Sequence, residues 1–298
     1  MCRYDAQSAR EVPLMPTTPS PVIALCWGTV IGTPLETLID VAGQHGLGAV
    51  TLTAPMYQHS RATGTSDATL RRLLKDRGVR VHAIDPLIGV LPGTPRPQDV
   101  PAENRAYFEI SEDDCYRAAA ALEAETINLA HFGGGAVTEQ AFIDCLGPLA
   151  QRARAHGVRL TLEFLPESAI ADLAAALRIV QALGADNLAV MFDTWHFART
   201  GGTVAQLAQV PGHLIGAVQI SDRREPAPGT VYAPMSGRLL PGEGELPLVE
   251  LLRVLMTRVA PATVGVEVFS DELQALPAAE VARRVAASTA SVFAQALA

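Results

Sequence analysis

One punctuation recurs along this chain: a helix-like pattern ends on glycine and a short apolar run follows. It occurs at His45-Gly46 before Ala-Val-Thr-Leu, and at Arg77-Gly78 before Val-Arg-Val-His-Ala-Ile. It recurs at His156-Gly157 before Val-Arg-Leu-Thr-Leu, and at Leu183-Gly184 before Leu-Ala-Val-Met-Phe. Glycine just past a helix takes the left-handed conformation that closes it, and His or Arg in the last turn suits the negative end of the helix dipole. Nearly continuous apolar runs are what parallel strands buried on both faces require. Strands alternating with helices imply right-handed βαβ units and an α/β fold. Strands are expected near 22–26, 48–53, 79–84, 125–129, 158–162, 188–192, 214–219 and 262–267. Helices are expected near 34–45, 67–77, 112–123, 137–156, 170–183, 203–208, 246–257 and 278–297. Eight such units close as a single (β/α)8 TIM barrel. The alternative is an open doubly wound sheet, but no Gly-x-Gly-x-x-Gly follows the first strand.

The chain has 298 residues, a length that α/β barrels reach as one domain. Apolar residues make up 49% and charged residues 18%, enough for a large core. Residues 21–298 are assigned to the barrel. Residues 1–20 hold Arg3, Asp5, Arg10, Glu11 and several prolines and read as a disordered leader, without the apolar core of a secretory signal. The four cysteines show neither C-x-x-C spacing nor the density of a disulfide framework, so reduced thiols and a cytoplasmic location are expected. A net charge of −8 argues against a nucleic-acid or membrane-surface partner, and no apolar stretch is long enough to span a bilayer.

Four of the expected strands end on an oxygen-bearing side chain: Glu163, Asp193, Gln219 and Glu267. The C-terminal ends of barrel strands form the usual active-site mouth. Three carboxylates and an amide converging there would repel one another without a cation between them, and the donor set suits Mn²⁺ or Mg²⁺. Two long proline-rich loops, 85–110 and 220–245, lie on the same side and read as lids or binding loops. His131, ahead of a Gly-rich turn, is a candidate substrate contact. Glu167 and Asp222 are candidates to support the site from behind, Glu167 with a further claim to touch substrate. Trp27, Trp195, Phe197 and Met235 are candidates for an apolar wall, with Trp27 the one assigned to substrate.

At these residues the chain resembles the xylose-isomerase-like TIM-barrel superfamily. That group includes sugar isomerases and epimerases, hydroxypyruvate isomerase, inosose and 3-dehydroshikimate dehydratases and, more distantly, an endonuclease. The resemblance rests on five local signatures in order: Leu162-Glu163-Phe164, Asp193-Thr194-Trp195-His196, Gln219-Ile220-Ser221-Asp222, Pro241-Gly242-Glu243-Gly244 and Gly265-Val266-Glu267. It implies that Glu163, Asp193, Gln219 and Glu267 hold one divalent metal ion and that Glu163 and Glu267 are also the acid/base pair. His196 is then catalytic or substrate-contacting, and Arg238 binds a substrate oxygen. Gln219 stands where many epimerases carry His. The hard amide oxygen favours Mn²⁺ or Mg²⁺, with Co²⁺ and Zn²⁺ as alternatives. The implied activity is isomerisation or epimerisation of a small polyhydroxylated ketone or keto acid through a metal-stabilised enediolate. Dehydration of the inosose or dehydroshikimate type is the alternative, and a non-catalytic accessory barrel the third reading. The endonuclease branch needs more histidines at the mouth than this chain supplies. Barrels of this kind commonly pair, so a homodimer is an expectation of the same kind.

Overall fold

The apolar runs become the strands of a closed ring. A computed structural model describes residues 20–133, 136–227, 229–230, 233 and 235–298. The expected leader therefore lies outside the described residues except for residue 20, as do Gly134, Gly135, Pro228 and Pro234. The strands are β1 Val22–Leu25, β2 Ala49–Leu52, β3 Arg80–Leu87, β4 Thr126–Ala130, β5 Arg159–Glu163, β6 Leu188–Asp193, β7 Ile215–Ile220, β8 Asp222–Arg223, β9 Arg238–Leu239 and β10 Thr263–Val266. Eight of them, all but β8 and β9, form a parallel barrel in the order β1-β10-β7-β6-β5-β4-β3-β2. β1 pairs with both β2 and β10, so the sheet is closed rather than open. All four glycines of the recurring punctuation, Gly46, Gly78, Gly157 and Gly184, have positive φ.

Long helices span Leu35–Gln44, Asp67–Arg77, Glu112–Leu122, Glu139–Ala155, Leu173–Leu183, Leu248–Arg258 and Ala278–Leu297. Several start on an oxygen cap, the side chains of Ser66, Thr138 and Asp172 each accepting a backbone N–H. The helix expected at 203–208 is a single turn, Val204–Leu207. Four further helices were not evident from periodicity: Ala54–Ala62, Arg105–Phe108, Thr194–Arg199 and Asp271–Gln274. Ala54–Ala62 carries few apolar positions and starts because Thr53 caps it by accepting from the Met56 N–H at 3.2 Å. Fully buried Phe142, Phe164, Phe192, Leu25, Ile84 and Ile127 belong to one core that spans sheet and helices.

β3 runs three residues beyond its expected end, through Asp85-Pro86-Leu87. The register to β4 shifts between Ile84 and Leu87, so the proline, which cannot donate to a ladder, sits at an irregularity. Within loop 220–245, β8 and β9 pair antiparallel, Asp222 with Leu239 and Arg223 with Arg238. Buried Asp222 ties its ends: Oδ1 accepts from the N–H groups of Arg223 (2.8 Å) and Leu246 (3.0 Å), and Oδ2 from that of Gly242 (3.1 Å).

Removing that carboxylate strands three backbone donors. Asp222→Ala is expected to lose at least about 2 kcal/mol of stability in urea unfolding. Asp222→Asn, which keeps one acceptor, should lose less. Equal stability of all three proteins would show that the hairpin is held elsewhere.

Candidate functional site

The strand ends converge on a cavity of about 620 Å³ whose inner end is lined by Asp85, Glu163, His196, Arg238 and Glu267. Asp193 pairs with Gln219 across β6 and β7, which sets these two at one level, and Glu267 follows two residues after Gly265, the β10 partner of Gln219. Glu163, Asp193, Gln219 and Glu267 are all buried.

Glu163 closes β5. Its Oε2 accepts from Asn128 Nδ2 at 2.8 Å, and its Oε1 lies 3.4 Å from His196 Nε2. Asp193 closes β6 and caps the next helix, Oδ1 accepting from the N–H groups of Trp195 (2.6 Å) and His196 (3.0 Å). That cap starts the helix at once and carries His196 back over the strand end. Asp193 Oδ2 has no hydrogen-bond partner among the described residues and lies 3.6 Å from Arg238 Nη1. Gln219 donates through Nε2 to Asp85 Oδ2 at 3.0 Å, while its Oε1 is buried without a hydrogen-bond partner among the described residues. Arg238, on β9 and 4% exposed, places Nη1 3.4 Å from Glu267 Oε2 and Nη2 3.4 Å from His196 Nε2. Its guanidinium lies over the rings of Phe269 (5.1 Å) and Trp195 (5.4 Å).

Two contributors escaped the sequence reading. Asp85 is buried, its Oδ1 accepting from Asn128 Nδ2 at 2.8 Å. Asn128 is fully buried and also accepts from Thr161 Oγ1 at 2.8 Å. Asp85 follows an apolar strand just as Glu163 and Asp193 do, which was the available signal. Pro86 made it read as loop.

Four buried carboxyl groups thus gather at one end of the barrel, and Arg238 lies beside two of them, Asp193 and Glu267. Burial first, then the charge of Glu163, pushes Asp85 up to about 7, against the hydrogen bonds from Asn128 and Gln219. Burial first, then Asp85, raises Glu267 well above the ordinary carboxylate range, with Arg238 opposing. Cys26 is raised as well, by burial first and then by Glu267 and Asp85. Donor atoms of Glu163, Asp193 and His196 lie within 4.8 Å of one another and could hold a metal ion. Excess negative charge, together with two buried oxygens lacking donors, fits a divalent cation.

Other expected residues lie elsewhere. His131 is fully buried and off the cavity: Nε2 donates to the Pro92 carbonyl (3.1 Å) and Nδ1 accepts from the Ala169 N–H (3.3 Å). Burial lowers its pKa, consistent with a neutral ring bracing loop 85–110 rather than meeting substrate. Glu167 is exposed and ion-paired with Arg199. Phe197 packs on Phe192, with ring centroids 5.0 Å apart, and Trp195 lies against Arg238. Trp27 and Met235 do line the cavity.

Comparison with known proteins gives consistent results. The family described as xylose isomerase-like TIM barrels matches residues 39–291. An inosose isomerase of Halalkalibacterium halodurans is 27% identical over 152 residues, 50% of this chain and 53% of that protein. The chain thus spans about half the length of that curated relative. A putative hydroxypyruvate isomerase of Streptomyces coelicolor is 27% identical over 250 residues, 78% of this chain and 85% of that protein. A crystal structure of an IolI protein with a bound zinc atom superposes with a TM-score of 0.78 at 19% identity, covering 92% of this chain and 98% of that one.

The raised carboxyls set a pH dependence. Between the ordinary Asp value and about 7 the folded metal-free protein binds more protons at Asp85 than the unfolded chain does, so stability falls as pH rises through that window. The urea midpoint of metal-free protein should decline from pH 5 to pH 7.5, and Asp85→Asn should flatten the decline. A midpoint that rises over this range would mean that the carboxyls are already ionised and compensated.

Proposed function

The chain belongs to the xylose isomerase-like TIM barrel family, and on that premise we propose that it is a divalent-metal-dependent isomerase or epimerase of a small hydroxylated ketone or keto acid. The observation that carries the reading is the pair of buried carboxyl groups, Glu163 and Glu267, lining one cavity from strands three places apart in the ring of eight. A substrate lying between them presents a C–H bond to a base on either side.

Glu163, Asp193, Glu267 and the Oε1 of Gln219 would hold the ion, with His196 Nε2 beside them. Bound there, the ion would neutralise the carboxylates and withdraw electrons from a substrate carbonyl. One glutamate takes the proton from the carbon next to that carbonyl. Delivery of a different proton, held by the other glutamate in its protonated form, to the opposite face of that carbon is epimerisation, and return of the first proton to the neighbouring carbon is isomerisation. Proton transfer by a placed side chain contributes roughly 10² to 10⁴ in rate. His196 Nε2, 3.4 Å from Glu163, can hold a substrate hydroxyl next to that base. Arg238 supplies a fixed donor beside Glu267 for a substrate oxygen. The oxygen-rich donor set favours Mn²⁺ or Mg²⁺, whereas recruitment of His196 would favour Zn²⁺. Metal analysis of the purified protein distinguishes them.

Solvent-deuterium exchange tests the chemistry. Metal-loaded protein in ²H₂O should place deuterium next to the carbonyl of a ketose, inosose or hydroxypyruvate. Glu163→Gln and Glu267→Gln should each slow that exchange by about 10² or more. Exchange persisting in both variants would overturn the acid/base assignment. A product lighter by one water would turn the reading to a dehydratase.

A further inference from the structure

The cavity has two unlike halves. Its inner end carries the ionisable groups already described. Its outer walls are built from Trp27, Tyr107, Phe108, Phe132, Met235 and Phe269. Trp27 stacks on Tyr107 with centroids 5.6 Å apart at 28°, and meets Phe269 edge-on at 5.6 Å and 83°. Phe108, at the end of the short helix after β3, and Phe132, after β4, meet edge-on with centroids 6.5 Å apart. Such rings arranged edge and face leave the geometry into which another ring packs.

Exposure points the same way. Among the described residues, the exposed large hydrophobics are Ile31 (38%), Phe132 (39%) and Leu297 (44%). The first two line this one mouth, while Leu297 is at the chain's end. Among the described residues, the outer lining carries one carboxylate, Glu103, and one amide, Asn104, besides the Tyr107 hydroxyl and the Trp27 indole N–H. A polyhydroxylated chain seated against the rings would bury more hydroxyls than these few groups can partner, which is unfavourable. The volume of about 620 Å³ lies within the range of roughly 300–1,000 Å³ typical of sites for drug-sized ligands.

We propose that the substrate is amphiphilic: an α-hydroxy ketone or α-keto acid head meets the inner carboxylates, and an aryl body packs against the wall formed by Trp27, Tyr107, Phe132 and Phe269. This rests on the enolisation reading for the head and on the apolar walls for the body. Proton abstraction is unchanged by it. The C–H proton passes to a glutamate, the electron pair moves toward the carbonyl oxygen, and a solvent-derived proton returns to carbon.

Two probes with the same head separate the two claims. One is 1-hydroxy-3-phenylpropan-2-one and the other is erythrulose. Metal-loaded protein is incubated with each in ²H₂O, exchange at the hydroxymethyl carbon is followed by NMR, and binding is read by quenching of tryptophan fluorescence. The aryl ketone should exchange with a kcat/KM at least about tenfold above that of erythrulose. Phe132→Ser, at an exposed position, and Tyr107→Ser should each reduce that ratio at least about threefold. Erythrulose exchanging as fast or faster would overturn the proposal and leave the enolisation reading standing. Saturable binding of the aryl ketone well below the concentration needed for erythrulose, with no exchange of either, would support the apolar site and overturn the enolisation reading. Neither binding nor exchange of the aryl ketone would overturn the proposal.

Discussion

Mutual repulsion among Asp85, Glu163, Asp193 and Glu267 is the constraint around which the mouth of this barrel is organised. At roughly 5 Å and an effective dielectric near 20, two like charges repel by about 3 kcal/mol. Four in one buried site cannot all ionise uncompensated. The protein answers in three ways. Arg238 is drawn in from the β8–β9 hairpin to lie beside Asp193 and Glu267. Amide donors of Asn128 and Gln219 are turned toward Asp85. The remaining charge is met by raised proton affinity at Asp85 and Glu267, and would be met by a cation when one is bound.

The amide donors also impose direction. Because Gln219 spends its Nε2 on Asp85, its Oε1 must face the other way, without a donor. Asn128 is fixed in the same manner, since its Oδ1 accepts from Thr161 while its Nδ2 serves both Asp85 and Glu163. A chain of hydrogen bonds from β3 through β4 to β5 thus orients side chains on three strands at once. Such a network is favourable only when every member is satisfied. Gln219 Oε1 and Asp193 Oδ2, without hydrogen-bond partners among the described residues, are therefore the two oxygens that a cation would satisfy.

Arg238 joins the two halves of the cavity. Its nitrogens face carboxylates and His196, while its flat surface lies over Phe269 and Trp195. Guanidinium suits this position because it is weakly hydrated and stacks on aromatic faces, which an ammonium does less well. Polar chemistry is thereby kept at the inner end and apolar contact at the rim. Asp222 holds the hairpin that delivers it through three backbone N–H groups.

Local patterning sufficed for the eightfold alternation, the glycine-ended helices and the strands that close on Glu163, Asp193, Gln219 and Glu267, because these depend on neighbours a few residues apart. Strand ends in a parallel barrel share one face, so four residues scattered over a hundred positions could be placed at one mouth from sequence alone. Asp85 and Asn128 were not legible. Proline after Asp85 reads as a break, and the register shift that keeps β3 paired beyond it is a property of β4. His131 and Phe197 carry the right chemistry, yet the hydrogen bonds of His131 to the Pro92 carbonyl and from the Ala169 N–H, and the ring of Phe192 against Phe197, hold them away from the cavity. Which side chains face the ligand is settled by contacts between segments far apart in the chain. The aromatic walls are the clearest case: Trp27, Tyr107, Phe132 and Phe269 come from four separate segments that follow four different strands and meet only when the barrel closes.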